Sequence, residues 1–275
     1  MGRPVNWAPL RSELQQWRAD GLTLPVWWRD DDAIEPTPQL ERMAALSSDL
    51  GLPVHLAVIP GQAKRELVPC VQSLGVFRPV VHGWRHINHG PRRGPASEFW
   101  HGHFISTYRA RKGLRRMREL FGDALLPVFV APWNHVSPSL HSSFAALGYR
   151  AVSTIGPRPR RMACPGLVQI NAHIDPVDWA RQRRLVDPDE IITSLTAHLQ
   201  DRRAGRCDAT EPLGLMTHHL VHDDEIWDFC AALLTELLSG PCQPVDLATP
   251  GHLALTDDRG SGAQADKQGN PPPAR

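Results

Sequence analysis

The alternation of apolar, strand-like runs with helical segments along most of the chain constrains its fold more than any other feature. LPVWW (24–28) is followed by a helical period over 37–50 that Gly51 closes, and LPVHLAVI (52–59) by one over 62–74 that stops at Gly75. VFRPVV (76–81) precedes a long helical period from Ser97 to Leu120, and LPVFVAPW (126–133) one that starts at Ser137 and ends at Gly148. YRAVSTI (149–155) and GLVQINAHI (166–174) read as strands flanking a basic, proline-rich loop. Asp187 caps a helix over 188–200, GLMTHHL (214–220) is a further strand, and 225–239 is an amphipathic helix. Strands joined through helices run parallel, so the expected class is α/β, as a (β/α) barrel or a doubly wound sheet. No G-x-G-x-x-G or P-loop pattern follows any strand, which weighs against a nucleotide-binding sheet.

The length of 275 residues suits one large domain, expected over 1–255, with a polar tail from 256 to 275 expected to be disordered. A formal charge of +1 gives no sign of a broad nucleic-acid or acidic-membrane surface. Five cysteines without a C-x-x-C spacing read as free thiols in a reducing compartment. Met1 to Asp20 has no continuous apolar core of a signal peptide, and no run is long enough to span a bilayer. The expectation is a cytoplasmic protein with no membrane span. Histidine, with 14 copies, is the unusual entry in the composition, and several copies cluster.

The polar clusters sit at the carboxyl ends of the expected strands, which in a barrel converge on one face. Asp30-Asp31-Asp32 follows the first strand and offers a metal-ligating carboxylate and a general base, or else a solvated loop and helix cap. His82 and His86, four apart, present two imidazoles on one side of a turn, and with an Asp they make a two-histidine, one-carboxylate metal set. Such a pair also arises by chance in a histidine-rich chain. His89, His101 and His103 read as structural or surface residues, and His55 as a satisfied barrel residue. Pro132-Trp133 gives a rigid turn and an aromatic wall, or simply a packing tryptophan. Asp175 and Asp178, with Trp179, could orient a histidine or form an ordinary polar turn. His218 is a candidate general acid, and strand alternation points it and His219 to opposite sides.

In this order the clusters resemble the five motifs of the polysaccharide deacetylases, carbohydrate esterase family four, over residues 24 to 222. The resemblance implies a single-domain α/β fold of the NodB-homology type, a distorted (β/α) barrel. Asp31-Asp32 matches the first motif, with Asp31 implied as catalytic base and Asp32 as metal ligand, and Asp30 a shifted-register alternative. His82 to His86 is similar to H-[S/T]-x-x-H, with Gly83 in the Ser/Thr place, and supplies two further ligands. Pro132-Trp133 matches the third motif, but Val130 stands where an arginine pairs with the base, leaving Arg29 or Arg85 to supply that charge. Asp175, Asp178 and Trp179 meet D-x-x-D-W in full, and Met216-Thr217-His218 meets L-x-H loosely.

The implied function is a metal-dependent hydrolase that deacetylates an N- or O-acetylated carbohydrate, with zinc first among the divalent metals. Asp31 is the implied base and His218 the acid, oriented by Asp178 or Asp175. Trp84, Trp133, Pro132 and Trp179 are the expected substrate contacts, and a backbone N–H near Trp133 the expected oxyanion donor. The expected partner is a carbohydrate or another acetylated small molecule, not a nucleic acid. Three other readings stand beside this one: a non-catalytic metal-containing carbohydrate-binding barrel, a hydrolase of a non-sugar amide, and a non-haem iron oxygenase.

Overall fold

The computed structural model describes residues 5–100 and 102–254. Its centre is a sheet whose strands pair in the order β10-β1-β2-β3-β4-β5-β7-β6, with β11 against β1. These are β1 (Leu24–Ala33), β2 (Val54–Val58), β3 (Phe77–His82), β4 (Val128–Val130), β5 (Ala151–Ser153), β6 (Met162–Cys164), β7 (Leu167–Gln169), β10 (Leu213–Thr217) and β11 (Cys242–Pro244). Every pairing in it is parallel except β6 with β7. Beyond β7 the chain reaches back to β10. Ile174 bridges Leu215, and Met216 N–H donates to the Ile174 carbonyl at 2.8 Å. A single bridge thus closes the sheet on itself, which makes an irregular barrel. Gly214 permits the close approach there, because a Cβ would lie 2.4 Å from Trp27 Nε1 and 2.8 Å from the Asn171 carbonyl oxygen.

Strand alternation sorts the core into two layers. Trp27, Ala57, Val80, Val128, Val130, Ala151, Val168 and Ile170 fill the interior. Val26, Trp28, Val54, Leu56, Val58, Val81 and Phe129 face the surrounding helices. Those helices are α1 (Ala8–Ala19), α2 (Pro38–Leu50), α3 (Leu67–Leu74), α4 (His103–Phe121), α5 (His141–Leu147), α6 (Pro188–Arg203) and α7 (Asp224–Leu238). Thr37 and Asp187 accept from backbone N–H groups at the starts of α2 and α6, as the sequence indicates for Asp187, and Gly51 ends α2 at φ 62°. His55 lies inside the barrel with both ring nitrogens satisfied, by the Trp28 carbonyl and the Leu247 N–H at 3.0 Å each.

Several expected boundaries move. The short β6 and β11 and the hairpin β8–β9 (Val177–Asp178, Arg184–Leu185) carry no clear period in the sequence, and α1 adds a helix to those expected. α1 is held by Leu10, Leu14 and Trp17 on one face. Residues 97–100 do not extend α4 as expected: Ser97, Glu98 and Phe99 are buried in the preceding loop. The three aspartates lie within β1 rather than after it, because pairing continues to Asp30 opposite Thr217 of β10 and to Ala33 opposite Val58 of β2. The expected tail 256–275 and His101 lie outside the described residues.

Candidate metal centre

At the end of β1 the pairing with β2 shifts register between Asp30 and Ala33, and Asp32 sits at φ 75°. A bulge of this kind re-aims a side chain. Asp31 keeps the inward direction of Trp27 and Arg29, while Asp32 turns to the end of β3. There Asp32 Oδ1 lies 3.2 Å from His82 Nε2 and 3.4 Å from His86 Nε2. Among the described residues, Asp32, His82 and His86 form the one group able to hold a metal ion, their ligand atoms all within 4.8 Å of one another. His82 Nδ1 contacts the Val130 carbonyl at 3.3 Å, leaving Nε2 directed at Asp32. A second nitrogen tied to the backbone is how ligating histidines are oriented. Burial alone would raise the Asp32 carboxyl, but the His82 contact, with His86 and His218 beyond it, holds it well below the usual carboxylate range. Burial lowers His86, whereas the charges of Asp31 and Asp32 outweigh burial at His82 and raise it.

Glu98, on the loop before α4, builds the turn between the two histidines. Its carboxylate accepts from the N–H groups of Trp84 (2.9 Å), Arg85 (2.7 Å) and His86 (3.2 Å). Gly83 makes this possible: it sits at φ 58°, and a Cβ there would lie 2.5 Å from Glu98 Oε2 and 2.4 Å from Pro132 Cγ. Glycine in the Ser/Thr place of the motif therefore has a steric cause.

The charge beside Asp31 comes from Arg29. Its Nε lies 2.9 Å from Asp31 Oδ1 and its Nη2 donates to Oδ2 at 3.0 Å. The same guanidinium donates to Ser153 Oγ, the Thr154 carbonyl and Asn134 Oδ1, and it is fully buried. Arg85, the other candidate, is exposed. Asp30 faces the opposite side of β1, where Thr217 Oγ1 (2.6 Å), His219 N–H (3.0 Å) and His219 Nδ1 (2.5 Å) surround it.

His218 directly follows the last residue of β10, its ring edge-on to Trp179 at 4.7 Å between centroids. Trp179 Nε1 in turn donates to Asp175 Oδ2 at 2.8 Å. Burial raises the Asp175 carboxyl, an effect that the neighbouring His218 opposes and Asp31 reinforces. Asp178 instead accepts from the N–H groups of Ala180 and Arg181 and organises its own turn. Trp133 packs on the His86 ring at 4.1 Å. Trp84 lies further out, its ring under Lys112 Nζ at 4.6 Å. Of the six non-glycine residues at positive φ among those described, four (Asp32, His86, Trp133 and Asn134) belong to this region. Such conformations cost about 1–3 kcal/mol each and persist where surrounding structure enforces them, as at binding sites.

Solved structures share this arrangement of strands and helices. A protein assigned as a polysaccharide deacetylase from Mycobacterium smegmatis superposes with a TM-score of 0.62 at 14% identity, over 82% of this chain and 87% of that one. One so assigned from Pseudomonas aeruginosa PAO1 gives 0.58 at 12% identity, over 90% and 92%. The fold is that of the polysaccharide deacetylases. The chitin deacetylase of the fungus Colletotrichum lindemuthianum gives 0.50 at 13% identity, over 80% and 84%. No family model and no curated protein matches the chain. The deacetylase barrel is thus kept at sequence identities far too low to carry an activity across, and function rests on the site. No helix among the described residues is long and apolar enough to cross a membrane.

Proposed function

We propose that this chain is a divalent-metal-dependent hydrolase that removes an acetyl group from an N- or O-acetylated carbohydrate. The observation that carries the reading is the convergence of Asp32, His82 and His86 next to the buried Arg29–Asp31 pair. Asp32 Oδ1 is buried without a hydrogen-bond donor, yet two imidazole nitrogens point at it, a donor set that fits a borderline or hard divalent ion such as zinc. Asp32, His82 and His86 would hold the ion, which supplies Lewis acidity toward water and an acyl carbonyl.

Asp31 is the general base, accepting the proton of the attacking water, and Arg29 fixes its carboxylate in place from the barrel interior. The backbone N–H of Trp133 donates to the developing oxyanion, with Pro132 setting the turn that presents it. His218 gives a proton to the leaving amine or alcohol. Asp175 orients it from across the Trp179 ring, in preference to Asp178, which is engaged in its own turn. Trp133 and Trp179, both exposed at the rim, form the walls for a sugar ring, with Trp84 further out. The names of proteins sharing the fold, polysaccharide and chitin deacetylases, agree with that substrate class. The test is acetate release from acetylated mono- and oligosaccharides by wild type and Asp31→Asn. The expected result is metal-dependent release that falls by about 10²–10⁴-fold in the variant with metal content unchanged. An Asp31→Asn protein as active as wild type removes Asp31 from the mechanism.

A further inference from the structure

Nine large hydrophobic side chains are exposed among the described residues: Ile87, Trp100, Phe104, Ile105, Tyr108, Trp133, Ile155, Trp179 and Leu220. All nine lie on connections that leave the carboxyl ends of barrel strands, or in the first turns of the helix that follows. The opposite end of the barrel exposes none among the described residues. A soluble surface scatters such residues; their gathering on one face marks a contact surface.

One part of that face is also one-sided in charge, in contrast to the acidic connection after β10 with Asp223, Asp224 and Glu225. Residues 84–112 contain six cations (Arg85, Arg92, Arg93, Arg109, Arg111 and Lys112) and one acid, Glu98. Glu98 is buried and committed to three backbone N–H groups. Since the chain as a whole carries only +1, the remainder is net acidic, and the overall balance conceals a basic segment on the rim. On α4, Phe104, Tyr108, Arg111 and Arg115 recur at i, i+4, i+7 and i+11, so one exposed stripe runs from aromatic to cationic. Lys112 Nζ lies 4.6 Å from the Trp84 ring and 5.7 Å from that of Tyr108, interleaving cation and aromatic.

We propose that this face docks on an anionic lipid bilayer surface, setting the metal centre against the headgroup layer. Cations on the same rim as Trp, Tyr and Phe suit an interface that is negatively charged outside and apolar beneath. Phe104, 83% exposed, protrudes instead of lining a cleft, which fits a fluid surface better than a folded partner. The aliphatic members Ile87, Ile105 and Leu220 have no π face for base stacking, which favours lipid over single-stranded nucleic acid. Substrates held at such a surface are acetylated glycans carried on a lipid. The docking itself does not depend on hydrolysis.

The test is co-sedimentation of the full chain with vesicles of phosphatidylcholine alone and of equimolar phosphatidylcholine and phosphatidylglycerol. Binding is expected to the anionic vesicles only and to weaken as salt is raised. It is expected to drop by about tenfold or more in Phe104→Ser/Tyr108→Ser and in Arg92→Glu/Arg93→Glu. Arg206→Glu, beyond the far end of α6, is expected to bind as wild type. All these side chains are exposed, and unchanged melting of each variant confirms that the fold is kept. No binding to anionic vesicles, equal binding to neutral ones, or indifference to both double variants overturns the proposal. So does loss of self-association or of single-stranded RNA binding, in place of lipid binding, in those variants.

Discussion

Asp30 and Asp31 are neighbours on one strand, both buried, yet they face different worlds. Asp30 points toward the helices, and three donors from Thr217 and His219 saturate its carboxylate. Asp31 points into the barrel mouth beside the candidate metal centre, held among the described residues by the Arg29 guanidinium alone. One carboxylate is committed to tying β1 to β10; the other is steadied from one side and left available on the other. Parity along a strand thus gives neighbours in a run of like residues different surroundings, and the bulge re-aims the third toward His82 and His86.

The sharpest way to break this comparison is to exchange each acid for its amide. Asp31→Asn is expected to lower turnover by about 10²–10⁴-fold while keeping metal. Asp30→Asn is expected to keep the metal site and lose about 1–3 kcal/mol of stability, read from denaturant midpoints. Equal effects of the two substitutions on turnover and on stability would erase the distinction. Arg29→Met leaves the Asp31 charge buried without its partner. The expected cost is about 3–5 kcal/mol, and it should fall steeply in the double variant with Asp31→Asn, as a double-mutant cycle measures.

Below these residues the barrel interior tolerates no added charge. Burial lowers His55 to about 4, so it stays neutral in the fold while its unfolded counterpart titrates near 6.5. Between those values the unfolded chain binds the extra proton. Stability is therefore full above about pH 6.5 and is lost as pH falls toward 4, by about 3 kcal/mol. His55→Gln is expected to be less stable at neutral pH and to lose less on acidification. A comparable effect concerns the turn between the two histidines: Gly83→Ala puts a Cβ against Pro132 and Glu98 at positive φ. It is expected to cost about 1–3 kcal/mol and to weaken metal binding, measured by calorimetric titration.

Much of this was legible in the sequence, for identifiable reasons. The barrel class follows from strand–helix alternation, which is a local signal, and the clustering of Asp32, His82 and His86 from two histidines four apart plus an aspartate at a strand end. Arg29 could also be read in part, because residues two apart on a strand share a face, although the sequence alone left Arg85 as its equal. Glu98 could not. It binds backbone groups 12 to 14 residues earlier, inside a stretch whose periodicity resembles the helix that follows it. The hairpin β8–β9 and the strand β11 are too short to show a period. The basic rim was hidden by averaging, since a near-zero total charge says nothing of its distribution.

The most direct test of the metal centre is calorimetric titration of zinc into metal-stripped protein, wild type beside His82→Ala/His86→Ala, with elemental analysis of each. The expected result is near-stoichiometric binding to wild type and none to the double variant, which should retain its far-ultraviolet spectrum. Wild type that takes up no divalent metal, or a double variant that binds as tightly as wild type, contradicts the assignment of Asp32, His82 and His86.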